Sequence, residues 1–188
     1  MATSSQIVTA EELIRMPSGT HRYELVRGEL QTMSPAGSKH GVVIMRLASR
    51  IATYVEQQQL GETFGAETGF LLERDPDTVL APDFAFVDQS RIPASGIPDA
   101  YWKAPPDLAV EVLSPGDSAA KATAKVEAWL SYGAREVWLV DPKKRTVSIH
   151  RPAASPLVLT ENDSLTSDLI PGFSCGVNEI FPPAAAHA

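Results

Sequence analysis

The chain of 188 residues carries 23 acidic and 16 basic side chains, and 44% of its residues are hydrophobic. This size predicts one globular domain over residues 1–181 and a disordered tail over 182–188. The net charge of −7 argues against broad attraction to phosphate backbones unless cations are concentrated locally or a metal offsets the carboxylates. No apolar run approaches the roughly 20 residues of a membrane span, and no leader pattern opens the chain, so we expect a soluble cytoplasmic protein without membrane contact.

The first two predicted elements are a short helix and a hairpin. Thr9, with Glu12 three residues later, forms a capping-box pattern for a helix that ends near Pro17. Residues 21–33 alternate in polarity and contain the dipeptide Arg27-Gly28, which predicts two strands joined by a turn there.

The middle of the chain predicts one long helix and two strands. Apolar residues recur at helical spacing and predict a helix that stops at Gly61: Val43, Leu47, Ile51, Tyr54 and Val55. Strand patterns follow at 67–74 and 82–88, before a loop over 89–106 that is rich in proline and glycine. With its Tyr101 and Trp102, this loop is either a lid that faces substrate or a segment packed over the sheet.

The second half repeats the alternation of strand and helix. The pattern predicts a short apolar strand over residues 107–113 and a helix over 117–134 that Gly133 closes. Strands at 135–142 and 145–152 follow. This order predicts an α/β or α+β domain around a central mixed sheet.

Two acidic residues lie in apolar strand settings. Asp83 directly follows Pro82, and Glu111 lies in the middle of the strand 107–113. Burial of an ionised carboxylate is costly unless a cation or metal compensates it. Two converging carboxylates would form an oxygen site suited to Mg²⁺ or Mn²⁺. The alternative is structural: Asp83 only begins a strand, and Glu111 faces solvent.

A lysine on the following helix is a third candidate. At about 100° per residue, Lys125 falls beside the apolar stripe of that helix, from where it could reach the sheet. Alternatively it belongs to an exposed charged flank with Lys121 and Asp117. Two acids and a lysine together match the needs of phosphodiester hydrolysis, in which a metal activates water and an amine orients it or stabilises charge.

Several segments in order resemble one family. They are YELVRGEL, the Asp83 strand after AP, DLAVEVLSPGD, KVEAWLSYGAREVWLVDP and LIPGFSCGVNEIF. From Tyr23 to Phe181 the chain is similar to the Uma2 (DUF820) endonuclease family of the PD-(D/E)XK, restriction-endonuclease-like superfamily. The separation of 14 residues between Glu111 and Lys125 is typical of it. The resemblance implies a mixed sheet flanked by helices, dependence on Mg²⁺ or Mn²⁺, and cleavage of DNA.

The resemblance also implies roles for individual residues. Asp83 and Glu111 become metal ligands, together with the backbone carbonyl of Val112. The PD-(D/E)XK pattern of the superfamily has a lysine two residues after the second acid, where this chain has Leu113. Lys125 is the expected replacement, and Lys121 is the other choice.

Three further residues lie in stretches that recur in the family. Glu24 either completes the metal site or is an exposed strand acid paired with Arg22 or Arg27. His40, at the start of the long helix, is interpreted as a capping or packing residue rather than a functional one. Asp141, before Pro142, is interpreted as a turn residue at the end of a strand.

Other catalytic schemes lack their sequence patterns. No G-x-S-x-G elbow, Walker A loop or G-x-G-x-x-G loop occurs. The single cysteine, Cys175, excludes an internal disulfide, is interpreted as a small apolar core residue, and has only His187 of the predicted tail as a nearby histidine in sequence.

The acidic balance leaves two questions about partners. Basic residues cluster at 143–145 and along the long helix at Lys39, Arg46 and Arg50, where an ordinary solvated surface is the simpler interpretation. A homodimer could gather enough positive charge to hold DNA. The alternative function is a non-catalytic module that keeps the nuclease fold and binds protein.

Overall fold

The computed structural model describes residues 7–17 and 22–183. These residues form four α-helices, twelve strands and a 3-10 turn at Gln89–Arg91. In chain order the helices and strands are α1 (Ala10–Leu13), β1 (Arg22–Val26), β2 (Glu29–Met33), α2 (Ser38–Gln58), β3 (Gly61–Gly65), β4 (Phe70–Glu73), β5 (Thr78–Leu80), β6 (Phe84–Asp88), β7 (Leu108–Val112), α3 (Ala119–Ser131), β8 (Glu136–Asp141), β9 (Thr146–His150), β10 (Leu157–Leu159), β11 (Ser164–Thr166), β12 (Ser174–Gly176) and α4 (Val177–Ile180).

The main sheet has six strands in the order β10-β9-β8-β7-β6-β3. Only β7 and β8 pair in parallel, with α3 as the crossover between them, and their neighbours in this sheet are antiparallel. The expectation of an α/β fold with a central mixed sheet flanked by helices is therefore confirmed.

Alternate residues of the central strands pack on opposite helices. On one face, Phe84 of β6 and Val110 of β7 join the core under α2. The α2 residues that share this core lie one turn apart: Val43, Leu47, Ile51 and Val55. On the other face, Ala85 and Ala109 lie in a second core with Trp129 of α3. The period of two in the strands and of 3.6 in the helices thus produces three layers.

A second sheet of four strands has the order β2-β1-β5-β4. It shares a small core with α1, which the capping box of Thr9 and Glu12 begins as predicted. The segment Ala81-Pro82-Asp83 leads from β5 in this sheet to β6 in the main sheet. Asp83 therefore lies where the two sheets meet.

The backbone conformation at two turns decides where the neighbouring elements begin. Arg27 and Gly28 both have positive φ, 50° and 81°, as a tight two-residue hairpin turn requires, which confirms the predicted turn. The long helix ends at Gln58, three residues before the predicted stop at Gly61, because Gln59 adopts the left-handed conformation. Gly61 instead begins β3, where a Cβ atom would lie 2.1 Å from the carbonyl oxygen of Val87.

The carboxyl-terminal segment packs on the domain. The Arg145 guanidinium donates to the carbonyl of Pro182 at 2.8 Å, so the predicted tail is anchored at its first residue. Residues 184–188 of that prediction lie outside the described residues. Among the helices that the structure describes, none has the length and apolar character needed to span a bilayer.

Candidate functional site

Asp83 and Glu111 meet at one end of the main sheet. In the antiparallel pairing of β6 with β7, Phe84 lies opposite Val110, so one further step of this register sets Asp83 opposite Glu111. Residues that oppose each other in this way project from the same face of a sheet. In addition, Asp83 Oδ2 accepts the backbone N–H of Val112 at 2.8 Å. The two predicted acids therefore border the same cleft.

Glu111 is buried, and two donors from α3 compensate its carboxylate. Lys125 Nζ donates to Oε2 at 2.9 Å, and the indole N–H of Trp129 donates to Oε1 at 2.8 Å. A solvated Glu111 is therefore excluded. Lys121, 64% exposed, forms the flanking pair with Asp117 at 3.6 Å, whereas Lys125 points to the sheet.

Glu24 approaches the same lysine from the smaller sheet. Its carboxylate is buried on β1, accepts the backbone N–H of Ala81 at 3.1 Å, and lies 3.6 Å from Lys125 Nζ. The interpretation of Glu24 as an exposed strand acid is wrong. Arg22, one of its suggested partners, pairs with Glu67 instead.

Lys125 and its acids influence one another's protonation. Burial raises the pKa of Glu111 to about 7, although the charge of Lys125 opposes that increase. Burial alone would lower the pKa of Lys125, but Glu111 and Glu24 outweigh it and raise that pKa. The ammonium therefore stays charged at neutral pH, and Glu111 is the member of the pair that titrates near it.

His40 has a partner that sequence reasoning did not supply. Its Nε2 lies 3.0 Å from Asp83 Oδ2, and both side chains are largely buried. The hydrogen bond to Asp83 raises the pKa of His40, with a smaller contribution from the Val112 backbone. Burial acts to raise the pKa of Asp83, but its bonds to His40 and Val112 lower it. The capping interpretation is wrong, since Gly37 is the N-cap of α2 and makes no side-chain cap bond.

The site opens into a cleft of about 1030 Å³. Its acidic and basic lining within the described residues comprises five acids, Glu24, Glu67, Asp83, Glu111 and Asp117, and four basic side chains, Arg22, His40, Lys121 and Lys125. Tyr101 also lines the cleft, whereas Trp102 is buried in the core under α3, so the loop 89–106 contributes both a cleft wall and packing. Because the acids outnumber the basic side chains, the cleft attracts a cation more strongly than it attracts phosphate.

The basic clusters of the sequence are largely engaged within the fold. Arg46 donates to the carbonyl of Phe181, and Arg50 pairs with Glu179. Arg145 bonds to Glu161 and stacks over the ring of Phe181. These arginines therefore fasten the carboxyl-terminal segment rather than form a free phosphate-binding surface.

The remaining predicted residues are structural. Asp141 accepts the backbone N–H groups of Lys143 and Lys144, which confirms it as a turn residue. Cys175 is buried, and burial raises the pKa of its thiol to about 11, which makes it a poor nucleophile. His187 lies outside the described residues.

The donor atoms around Asp83 suit a hard cation that keeps part of its water shell. Within residues 7–17 and 22–183, no group of three or more His, Cys, Asp or Glu side chains is arranged to hold a metal ion. Mg²⁺ does not need such a cage, because one or two carboxylates together with water and substrate phosphate satisfy it. Asp83, Glu111 and the Val112 carbonyl supply only oxygen, so the residues present fit Mg²⁺ or Mn²⁺.

Sequence reasoning missed Trp129 as part of the site. It lies one helical turn after Lys125, on the same face of α3. Because a buried indole N–H usually has an acceptor, the pair of positions 125 and 129 was the available signal.

Comparison with known proteins supports the fold and identifies the family. A family model for Uma2, described as "Putative restriction endonuclease", matches residues 10–178. A crystal structure from Anabaena variabilis ATCC 29413, described as a "putative nuclease belonging to DUF820", has a TM-score of 0.79 at 24% identity, covering 93% of this chain and 97% of that one. No curated protein matches the sequence significantly. Because the family model spans most of the chain, the protein belongs to the Uma2 family.

Proposed function

We propose that this protein is a divalent-metal-dependent endonuclease that hydrolyses phosphodiester bonds in DNA. One observation carries the proposal: Asp83 and Glu111 line the same cleft at the adjoining ends of β6 and β7, with the Lys125 ammonium 2.9 Å from Glu111. Membership of a family described as "Putative restriction endonuclease" supports the nuclease class.

Asp83, Glu111 and the Val112 carbonyl would hold the metal. A bound Mg²⁺ or Mn²⁺ supplies a Lewis acid for the phosphoryl oxygen and activates a water molecule. Metal binding would explain why the chain has a carboxylate at this buried position, where burial is costly even with Lys125 beside it.

The chain's own side chains would orient the reacting groups. Lys125 is held between Glu111 and Glu24 and is the cation positioned to stabilise charge that develops on the phosphoryl group. His40 fixes one oxygen of Asp83 through the 3.0 Å contact. Glu24 would thus act on Lys125 rather than as a required metal ligand.

DNA binding by this acidic cleft requires charge compensation. Because five acids and four basic side chains line it, we expect affinity for DNA to depend on divalent ions. A homodimer would supply further positive charge from a second copy, and mass measurement by light scattering tests that arrangement.

A non-catalytic interaction module is the second candidate. The observation that favours it is that protein donors already satisfy both Glu111 oxygens, so the buried acid is stable without metal. Such a module would need neither metal nor nucleic acid.

Cleavage of supercoiled plasmid with Mg²⁺ or Mn²⁺ tests the proposal. We expect nicking by the parent, loss of nicking in Asp83→Ala and Glu111→Ala, and a fall of roughly a hundredfold or more in Lys125→Met. Glu127→Ala is a matched control, because this exposed side chain lies on the same helix and does not line the cleft, and it should retain activity within about twofold.

Two outcomes would contradict the proposal. Nicking that persists in both alanine variants would come from a contaminating nuclease. A melting temperature that Mn²⁺ leaves unchanged would mean that no ion binds the folded state, because binding with dissociation constant Kd adds RT ln(1 + [L]/Kd) to its stability.

A further inference from the structure

Helix α3 presents two different donors to the two oxygens of one carboxylate. Lys125 and Trp129 lie one turn apart and bond to Glu111 Oε2 at 2.9 Å and Oε1 at 2.8 Å. The side chain of Glu111 is therefore held in one orientation by a single rigid element.

The two donors differ in how readily they can be replaced. Trp129 is fully buried, and its ring meets Phe70 edge-on with centroids 6.1 Å apart. Its indole can only donate, and it donates to Glu111 Oε1. Lys125 is 23% exposed, has a flexible side chain and shares its charge with Glu24. Oε1 is thus the fixed oxygen, and Oε2 is the one whose partner can be exchanged.

We propose that Trp129 is a positioning residue that fixes the Glu111 carboxylate so that its other oxygen is available to a divalent cation. This inference rests on the proposed function, since it assumes that Glu111 is a metal ligand. Partners behind a liganding group orient it and raise its affinity, and their removal costs roughly 10- to 100-fold in metal binding.

The chain contains a matched control for the loss of this bond. Trp138 is also fully buried, and its indole N–H donates to Glu136 Oε1 at 2.5 Å, but neither residue lines the cleft. Trp138→Phe removes the same type of bond and a similar volume from the core as Trp129→Phe. A purely structural effect of losing an indole should therefore appear equally in both variants.

Calorimetric titration with Mn²⁺, without DNA, tests the inference. We expect Trp129→Phe to bind Mn²⁺ at least tenfold more weakly than the parent, and Trp138→Phe to bind within about twofold of it. Equal affinity in parent and Trp129→Phe would overturn the inference while leaving the metal site intact. An equal loss in both variants would also overturn it, because the effect would then be general destabilisation. Absence of binding in the parent would overturn the proposed metal site and this inference together.

A measurement on the parent covers the case in which Trp129→Phe does not fold. The three tryptophans give three indole N–H signals in a nitrogen-15 spectrum, and Trp102→Phe and Trp138→Phe assign the third by elimination. We expect Mg²⁺ to shift the Trp129 signal more than the other two. If Mg²⁺ binds and the Trp129 signal stays in place, the inference is wrong.

Discussion

Glu111 and Glu136 are two buried glutamates on neighbouring parallel strands, and each is bound by an indole and by a cation. Glu111 has Trp129 and Lys125, whereas Glu136 has Trp138 and Arg151, whose Nε lies 2.6 Å from Oε2. Their local chemistry is therefore nearly the same.

Their surroundings differ. Glu136 begins β8 opposite Leu108, whereas Glu111 lies near the carboxyl end of β7 opposite Leu139. In open α/β sheets, ligands bind outside the carboxyl ends of the parallel strands. Only Glu111 lines the cleft and has Asp83 beside it. A compensated buried acid therefore becomes a candidate site only where a second acid lies near it and solvent has access to it.

Neutralising each glutamate in turn should have the largest effect on activity. Glu111→Gln keeps the shape but removes the charge that a cation needs, so we expect plasmid nicking to fall to background. Glu136→Gln should keep nicking within about twofold, because its acid lies away from the cleft. Equal loss in both variants, with both folded by circular dichroism, would remove the distinction.

Removal of the cation beside each glutamate should lower the stability of the protein by different amounts. Lys125→Met leaves Glu111 and Glu24 without their shared ammonium and should cost about 3 kcal/mol, since breaking a buried pair strands a charge. Arg151 is 39% exposed, so solvent screens its pair and Arg151→Met should cost only about 1 kcal/mol. Urea unfolding in EDTA at pH 8 measures both values, and a larger loss for Arg151→Met would contradict the expected order.

A further expected effect is a pH dependence of stability that is specific to Glu111. Its pKa of about 7 in the folded protein exceeds the ordinary value of 4.5, so the folded state binds the proton more tightly. Stability from this group is complete below pH 4.5 and is lost as the pH rises through 7, by up to about 3 kcal/mol. In EDTA, Glu111→Gln should lose this slope and Glu136→Gln should keep it. A slope unchanged by Glu111→Gln would assign it to another group.

Much of the fold could be predicted because its main elements have strong periodicity. The hairpin around Arg27 and Gly28, the helices α2 and α3 and the strands β7 to β9 follow the apolar pattern. The sequence did not indicate β3, where Phe64 is the one large apolar residue of Gly61–Gly65, nor the three-residue strands β5 and β10 to β12. These short strands depend on pairing partners rather than on their own pattern.

The site could be predicted only in part. An acid within an apolar strand draws attention to Glu111, but the same rule selects Glu136 and nearly selects Asp107, which pairs with Arg91 and Arg135. Sequence alone does not distinguish a metal ligand from a structural ion pair. Family resemblance singled out Lys125, which the structure brings to Glu111.

The contact between His40 and Asp83 could not be predicted from local pattern. The two residues are 43 positions apart, and their approach depends on how α2 lies over the end of β6. Glu24 reaches Lys125 for a similar reason, since the smaller sheet folds against the cleft. Such contacts are set by tertiary packing and not by periodicity.

The ammonium of Lys125 also links the two sheets through ion pairs, because Glu24 belongs to one sheet and Glu111 to the other. While it is in place, attraction draws the walls of the cleft together. If Lys125 moves away, the carboxylates of Glu24 and Glu111 face each other between the two sheets and repel each other. We therefore expect the separation of Glu24 from Glu111 to depend on Lys125.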